Sequence, residues 1–252
     1  MQRRLFLRGL ATGTIAACPL CTALAETAGR PHWSYEGATG PRRWGALDGA
    51  YATCGSGAQQ SPIDLAGSIG AELAPLEFAY GSLAAEVEDN GHTIVVPVPP
   101  GHDLRLAGEA FTLLQFHFHA PSEHRIDGQA FPMEAHFVHR GAAGALAVVA
   151  VMLIEGADNR DYAPVFARMP GSAGDAGGEA PVRLELLLPR ERGYFRYAGS
   201  LTTPDCAETV TWLVLSRPVP LAASQIARFT AVYPNNARPL QPVNRRFVLR
   251  SF

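Results

Sequence analysis

Hydrophobic and polar positions alternate along most of this chain with a period of two, the spacing at which successive side chains point to opposite faces of a strand. TIVVPV (93–98), LRLAG (104–108), FTLLQFHFH (111–119), MEAHFVH (133–139), ALAVVAVML (145–153), VRLELLL (182–188) and TVTWLVL (209–215) all read as strands on this basis. Helical periodicity is sparse. NRDYAPVFARM (159–169) and LAASQIARF (221–229) are short helix candidates, and PGSAGDAGGEAP (170–181), rich in glycine and proline, reads as a mobile surface loop. The pattern predicts a mainly β chain with a few peripheral helices.

One strand carries more than packing. In QFHFH, residues two apart share a face, so Gln115, His117 and His119 project together while Phe116 and Phe118 face the other way. A strand rises roughly 3.3 Å per residue, which puts the two histidine backbones about 6.6 Å apart, within reach of one metal ion at about 2.0–2.1 Å per nitrogen. After the turn-rich APSEHRIDGQAF, the segment MEAHFVH alternates again with Glu134, His136 and Val138 on one face. A returning antiparallel neighbour therefore presents His136 to the first pair. Burying several imidazoles on an aromatic-backed strand is costly unless they are bonded or metallated. Gln115 and Glu134 each stand two residues before a histidine, where a side-chain oxygen accepts the ring's second N–H and fixes its tautomer. Three neutral ligands leave the full charge on zinc and one tetrahedral position open for water, the arrangement of a catalytic site.

Beyond the histidines, HWSYEG (32–37), WGALDGAYATCGSGAQQSPIDL (44–65), NGH (90–92), QFHFHAPSEH (115–124), LAVVAVML (146–153), RYAGSLTTPDC (196–206) and RPLQPVNRR (238–246) follow one another in a recognisable order. With MEAHFVH they closely resemble the α-class carbonic anhydrases, zinc enzymes that hydrate carbon dioxide to bicarbonate, and they span the chain from Pro31 to Phe252. The resemblance implies a single domain built on a large, twisted, predominantly antiparallel central sheet, with short peripheral helices, long loops and a conical cleft reaching the metal.

It further implies that His117, His119 and His136 hold Zn2+, that Gln115 and Glu134 orient them, and that Thr202 hydrogen-bonds a zinc-bound hydroxide which attacks carbon dioxide. Glu123 is then the relay partner that takes the Thr202 proton, so that the threonine oxygen accepts from hydroxide and aims its lone pair at the substrate carbon. Val138, Val148, Leu201, Val210 and Trp212, with Thr203 at its edge, match the pocket for a small uncharged substrate. His92 matches the proton shuttle, for which an imidazole titrating near 6.5 is suited. Tyr35 and Thr203 match the residues that hold the intervening water.

Two positions depart from the family pattern. Val95 replaces an amide side chain, which bears on the water chain, and Asp205 replaces the second proline of TTPPC, which implies either a strained or a different turn beside Thr202. Ser61-Pro62 matches the family's other cis bond. His124 and His139 read as structural, and His32 and His102 carry no catalytic role. Two rival functions remain. His117-x-His119 followed by Glu123 also resembles half of a cupin motif, which would make Glu123 a ligand for iron or manganese. The other rival is a binding module of the same family that has lost turnover.

Composition narrows partners and location. A length of 252 residues with 47% hydrophobic content suits one large domain. All 21 basic residues are arginine, which excludes lysine Schiff-base chemistry. Residues 1–25 read as an export leader, with Arg3-Arg4-Leu5-Phe6-Leu7-Arg8 resembling a twin-arginine signal and Ala23-Leu24-Ala25 an A-x-A cleavage site, leaving 26–252 as the catalytic domain. A general secretory leader is the alternative, and Ile15-Ala16-Ala17-Cys18 leaves open a lipid anchor through Cys18. The apolar run is too short to span a membrane. Losing Arg3, Arg4 and Arg8 takes the net charge from -2 to about -5, which speaks against nucleic-acid binding. A periplasmic or secreted protein follows, with carbon dioxide, bicarbonate and water as its partners and its oligomeric state, a homodimer among the options, left open. Cys54 and Cys206 remain after cleavage. They match the disulfide of bacterial family members, the alternative being two separate buried thiols.

Overall fold

The computed structural model describes residues 31–171 and 176–252, so the expected leader at 1–25, including Cys18, lies outside the described residues. Strands dominate, as the alternation predicts. They are β1 (Ile69–Ala71), β2 (Glu77–Ala79), β3 (Ser82–Asp89), β4 (Ile94–Pro97), β5 (Asp103–Leu106), β6 (Glu109–His119), β7 (Met133–Gly141), β8 (Leu146–Glu155), β9 (Ala176–Arg183), β10 (Tyr194–Gly199), β11 (Val210–Leu215), β12 (Val219–Leu221) and β13 (Leu249–Ser251). Four short α-helices accompany them among the described residues: α1 (Trp44–Leu47), α2 (Thr53–Ser56), α3 (Ala163–Ala167) and α4 (Ala223–Thr230).

The strands join one sheet in the order β1-β13-β10-β11-β8-β7-β6-β4-β3-β9, with β12 beside β8, and β2 and β5 extending from β6. Most pairs are antiparallel, while β1/β13, β8/β11 and β8/β12 run parallel, so the sheet is mixed. Its centre is β6-β7-β8. One face of that centre carries Phe116, Phe118, Phe137, Val149 and Val151, packed with Tyr162, Phe166 and Phe229 of the α3 and α4 region. Each such apolar side chain removed from water contributes about 1.5–3 kcal/mol. The other face carries a second cluster that includes Val148, Ala150, Val210, Trp212 and Tyr197, and this is the face of the histidines.

A single extra residue decides which histidines reach that second face. Between Leu113 and Gln115 the β6/β7 register slips: Leu113 pairs with His139, whereas Gln115 pairs with Val138. The bulge at Leu114 inverts the parity of β6, because side-chain direction has a period of two. Phe111 and Leu113 lie in the first core, yet Gln115, His117 and His119, also odd-numbered, turn to the opposite face.

Two local expectations change. VRLELLL is not a strand throughout, since β9 stops at Arg183 and Leu184–Leu187 forms a 3-10 turn that buries Leu184 and Leu187. PGSAGDAGGEAP is not a loop throughout: from Ala176 it is strand, paired with β3, and only residues 172–175 lie outside the described residues. Pairing with β3, from Leu83↔Val182 to Glu86↔Glu179, overrides the weak strand propensity of its glycines. Ser61-Pro62 is cis as expected, and Pro204-Asp205 is cis as well, so the Asp205 turn keeps a cis bond without the proline.

Candidate metal centre

In the register of β6 and β7, His117 stands directly opposite His136, and His119 opposite Glu134. The three imidazoles converge, with ring centroids 5.0 Å apart for His117 and His119, 5.2 Å for His117 and His136, and 4.6 Å for His119 and His136. One nitrogen from each lies within 4.8 Å of the others.

The remaining nitrogens are anchored, and the anchors decide which atom each ring offers. His117 Nδ1 lies 2.8 Å from Gln115 Oε1 and His119 Nδ1 lies 2.8 Å from the carbonyl oxygen of Asn236. Both acceptors lack a proton, so each Nδ1 carries the hydrogen and Nε2 keeps its lone pair. His136 is turned the other way: its Nε2 donates to Glu134 Oε1 at 2.8 Å, which frees Nδ1. Burial pushes His117 well below the ordinary histidine range, reinforced by His119 and His136, and burial likewise lowers His119. Neutral rings with free lone pairs are what a divalent cation binds.

His119 Nε2 is buried and has no hydrogen-bond partner among the described residues. An orphaned acceptor is costly in a protein interior, and a cation at the triad would relieve it. The residues therefore fit zinc. A second group, His124, Glu134 and His136, also brings potential ligands together, but its atoms are occupied by one another. Glu134 Oε1 takes hydrogens from His136 Nε2 and His124 Nδ1, Oε2 takes the His124 backbone N–H, and His124 Nε2 meets the Tyr197 hydroxyl at 2.6 Å. Burial raises Glu134, but the charges and hydrogen bonds of His124 and His136 outweigh it and hold the carboxylate well below its usual range. This group is a scaffold behind His136.

Glu123, 2% exposed, accepts the Arg238 backbone N–H at 2.8 Å through Oε1. Its Oε2 lies 3.6 Å from His119 Nε2 and 3.9 Å from His136 Nδ1 and has no hydrogen-bond partner among the described residues. The expected Thr202–Glu123 hydrogen bond is thus not made, although Thr202 is buried. Its loop is tied at several points: Trp212 Nε1 donates to Ser200 O, Cys206 N to Thr203 O, and Cys54 and Cys206 form a disulfide.

Three of the expected pocket residues fall in one row. Val138 pairs with Val148, and Val148 with Trp212, across β7, β8 and β11, on the face that carries His136. Val210 joins the same cluster, with Leu201 packed against it. Val95 pairs directly with His117, so the apolar replacement sits beside an expected metal ligand. Tyr35 packs edge-on to Trp33 and Trp44, and burial, with Glu123 next in effect, raises its phenol. His92 stacks flat on Trp33 at 3.6 Å.

Asn236 was not legible as a site residue. It is fully buried, holds His119 through its backbone carbonyl, accepts the Ala120 N–H and donates to the carbonyls of His92 and Phe118. A backbone carbonyl leaves no side-chain signature, and only the neighbouring RPLQPVNRR pointed to this part of the chain.

Residues 39–252 match the family model described as eukaryotic-type carbonic anhydrase. The chain belongs to the carbonic anhydrase family. A carbonic anhydrase from Pectobacterium carotovorum is 46% identical over 86% of this chain and 90% of the relative, and one from Neisseria gonorrhoeae is 40% identical over 97% and 98%. Among solved structures, the α-carbonic anhydrase from Thermovibrio ammonificans, in complex with the inhibitor sulfanilamide, superposes with a TM-score of 0.85 at 43% identity, covering 88% of this chain and all of that one. The mixed sheet and sparse helices are those of α-carbonic anhydrase folds.

Proposed function

We propose that this chain is an exported, zinc-dependent carbonic anhydrase that hydrates carbon dioxide reversibly to bicarbonate and a proton. The observation that carries the reading is the donor set: three imidazoles, each with one nitrogen anchored, offer Nε2 of His117, Nε2 of His119 and Nδ1 of His136 to a common point. Zinc held there supplies Lewis acidity, which in carbonic anhydrases, the reference case for this chemistry, brings water to a pKa of about 7.

The protein's own groups do the rest. Gln115, Asn236 and Glu134 lock the tautomers, so the ligand nitrogens are presented without a proton to displace. Val138, Val148, Leu201, Val210 and Trp212 give an apolar wall that suits an uncharged substrate and offers bicarbonate little hold, which favours product release. Thr202, with Glu123 Oε2 as the open acceptor for its proton, orients the attacking oxygen, and Thr203 borders the pocket. His92 takes the proton outward, with Tyr35 ordering water between. Export through the leader at 1–25 is supported by the Cys54–Cys206 disulfide, which belongs in an oxidising compartment.

Stopped-flow hydration of carbon dioxide tests the reading. Activity is expected in the zinc-loaded protein, lost after stripping with a chelator and regained with zinc. A protein that holds one zinc per chain yet hydrates no faster than buffer would favour a binding module; the cupin reading is already set aside by the family match over residues 39–252.

A further inference from the structure

We propose that Tyr233 is a positioning residue for the proton-carrying His92, acting by clamping the Asp89 carboxylate at the root of the turn that bears it. The proposal rests on the reading of His92 as the shuttle. β3 ends at Asp89 and β4 begins at Ile94, so Asn90-Gly91-His92-Thr93 is a tight connection, and Gly91, at φ +85°, supplies a backbone shape that other residues adopt only with strain.

The inner side of this turn is held by its own side chains. Asp89 Oδ1 accepts the Gly91 N–H at 2.8 Å, and Asn90 Oδ1 accepts those of His92 and Thr93 at 3.0 and 2.9 Å. From outside, two groups of the segment after α4 grip it. The Tyr233 hydroxyl donates to Asp89 Oδ1, and Asn236 Nδ2 donates to the His92 carbonyl at 3.1 Å.

Asp89 is 3% exposed, and its Oδ2 has no hydrogen-bond partner among the described residues. A buried carboxylate so sparsely served depends strongly on each donor it has. Burial and the Asp89 hydrogen bond both drive the Tyr233 phenol upward, so it remains a protonated donor throughout the working pH range. The ring is itself well placed. Tyr233 N–H bonds to Phe229 O at 2.9 Å, its ring lies 5.8 Å from that of Phe229, and Phe229 packs 5.9 Å from Phe118 on the back of the ligand strand. The segment from Tyr233 to Arg238 thus fixes the His92 turn, the His119 ring and the Glu123 carboxylate against one support. Losing the Tyr233 hydroxyl removes the hold on Asp89 and so on the His92 turn, while His119 and Glu123 keep their own anchors at the Asn236 carbonyl and the Arg238 N–H, so the effect falls on proton transfer.

The test compares zinc-loaded wild-type, Tyr233→Phe and His92→Ala proteins. Tyr233→Phe should lower kcat severalfold in weak buffer, leave kcat/KM unchanged and be rescued by imidazole. Amide exchange at Gly91 and His92 should run roughly tenfold faster, the effect of losing one hydrogen bond of about 1.4 kcal/mol. Unchanged turnover and exchange would overturn the proposal, as would kcat and kcat/KM falling together without imidazole rescue. If His92→Ala leaves weak-buffer turnover intact, the shuttle reading fails on its own. The clamp is then judged by exchange alone: faster exchange in Tyr233→Phe upholds it, and unchanged exchange rejects it.

Discussion

Identical side chains in this protein do opposite things because their second nitrogens meet different partners. His117, His119 and His136 each give one N–H to a fixed oxygen and keep a lone pair for a cation, whereas His124 spends both nitrogens on Glu134 and Tyr197. His139 lies on the core face of β7, with Nδ1 donating to Ala147 O at 3.1 Å and Nε2 accepting from the Tyr80 hydroxyl at 2.5 Å. Burial depresses it to about 4. Because its folded value lies below the unfolded 6.5, the unfolded chain binds the extra proton between those limits, and stability is full above 6.5 and falls as pH drops toward 4. The gap corresponds to about 3 kcal/mol. His139→Gln, which cannot take that proton, should flatten the acid slope: urea midpoints at pH 7 and pH 4.5 should converge relative to wild type, and parallel losses in both proteins would count against the assignment. The spacing of His117, His119 and His136 was readable because strand parity is a local rule. Asn236 was not, since its hold on His119 passes through a carbonyl that every residue possesses.

At the scale of elements, β6 works as a two-sided plate. Its polar side carries the candidate ligands His117 and His119, and its apolar side is pressed by α3 and α4 through Phe118, whose ring lies 5.2 Å from Phe166, 5.9 Å from Phe229 and 6.0 Å from Tyr162. Phe118 sits between His117 and His119 in sequence, so its packing sets where both imidazoles stand. Phe118→Ala should cost about 3–5 kcal/mol of unfolding free energy. It should also weaken zinc retention without touching a ligand, as chelator competition would show; unaltered retention would mean the plate is held by its hydrogen bonds alone. The doubled apolar pair Leu113-Leu114 is the visible trace of the bulge, a break in alternation within FTLLQFHFH that marks the change of phase. Only the Val182-Arg183 end of β9 left a trace, because the glycine-rich remainder becomes strand through β3, a partner roughly 90 to 100 residues away.

The whole molecule converges on the metal face from distant parts of the chain. Arg238 donates to Ser61 O and Cys54 O through its guanidinium and to Glu123 through its backbone, joining the amino-terminal region, the loop after β6 and the carboxy-terminal segment. The Cys54–Cys206 disulfide closes a separation of 152 residues and pins the Thr202 loop to α2. Chain-entropy arithmetic gives a loop of this size about 5 kcal/mol of stabilisation, an upper figure that native strain reduces. Reduction, or paired Cys54→Ser and Cys206→Ser, should lower the denaturant midpoint accordingly, and an unchanged midpoint would show that the Arg238 contacts suffice. The fold class and the ordered motifs were legible end to end, whereas these cross-connections depend on the tertiary arrangement. The central claim is that three imidazoles share one zinc and leave a position for solvent. X-ray absorption at the zinc edge of the purified protein tests it most directly: three imidazole rings, counted by their outer-shell scattering, are expected with nitrogens at about 2.0–2.1 Å together with one oxygen donor, and a site filled by four protein ligands, or one in which a carboxylate replaces an imidazole, would contradict it.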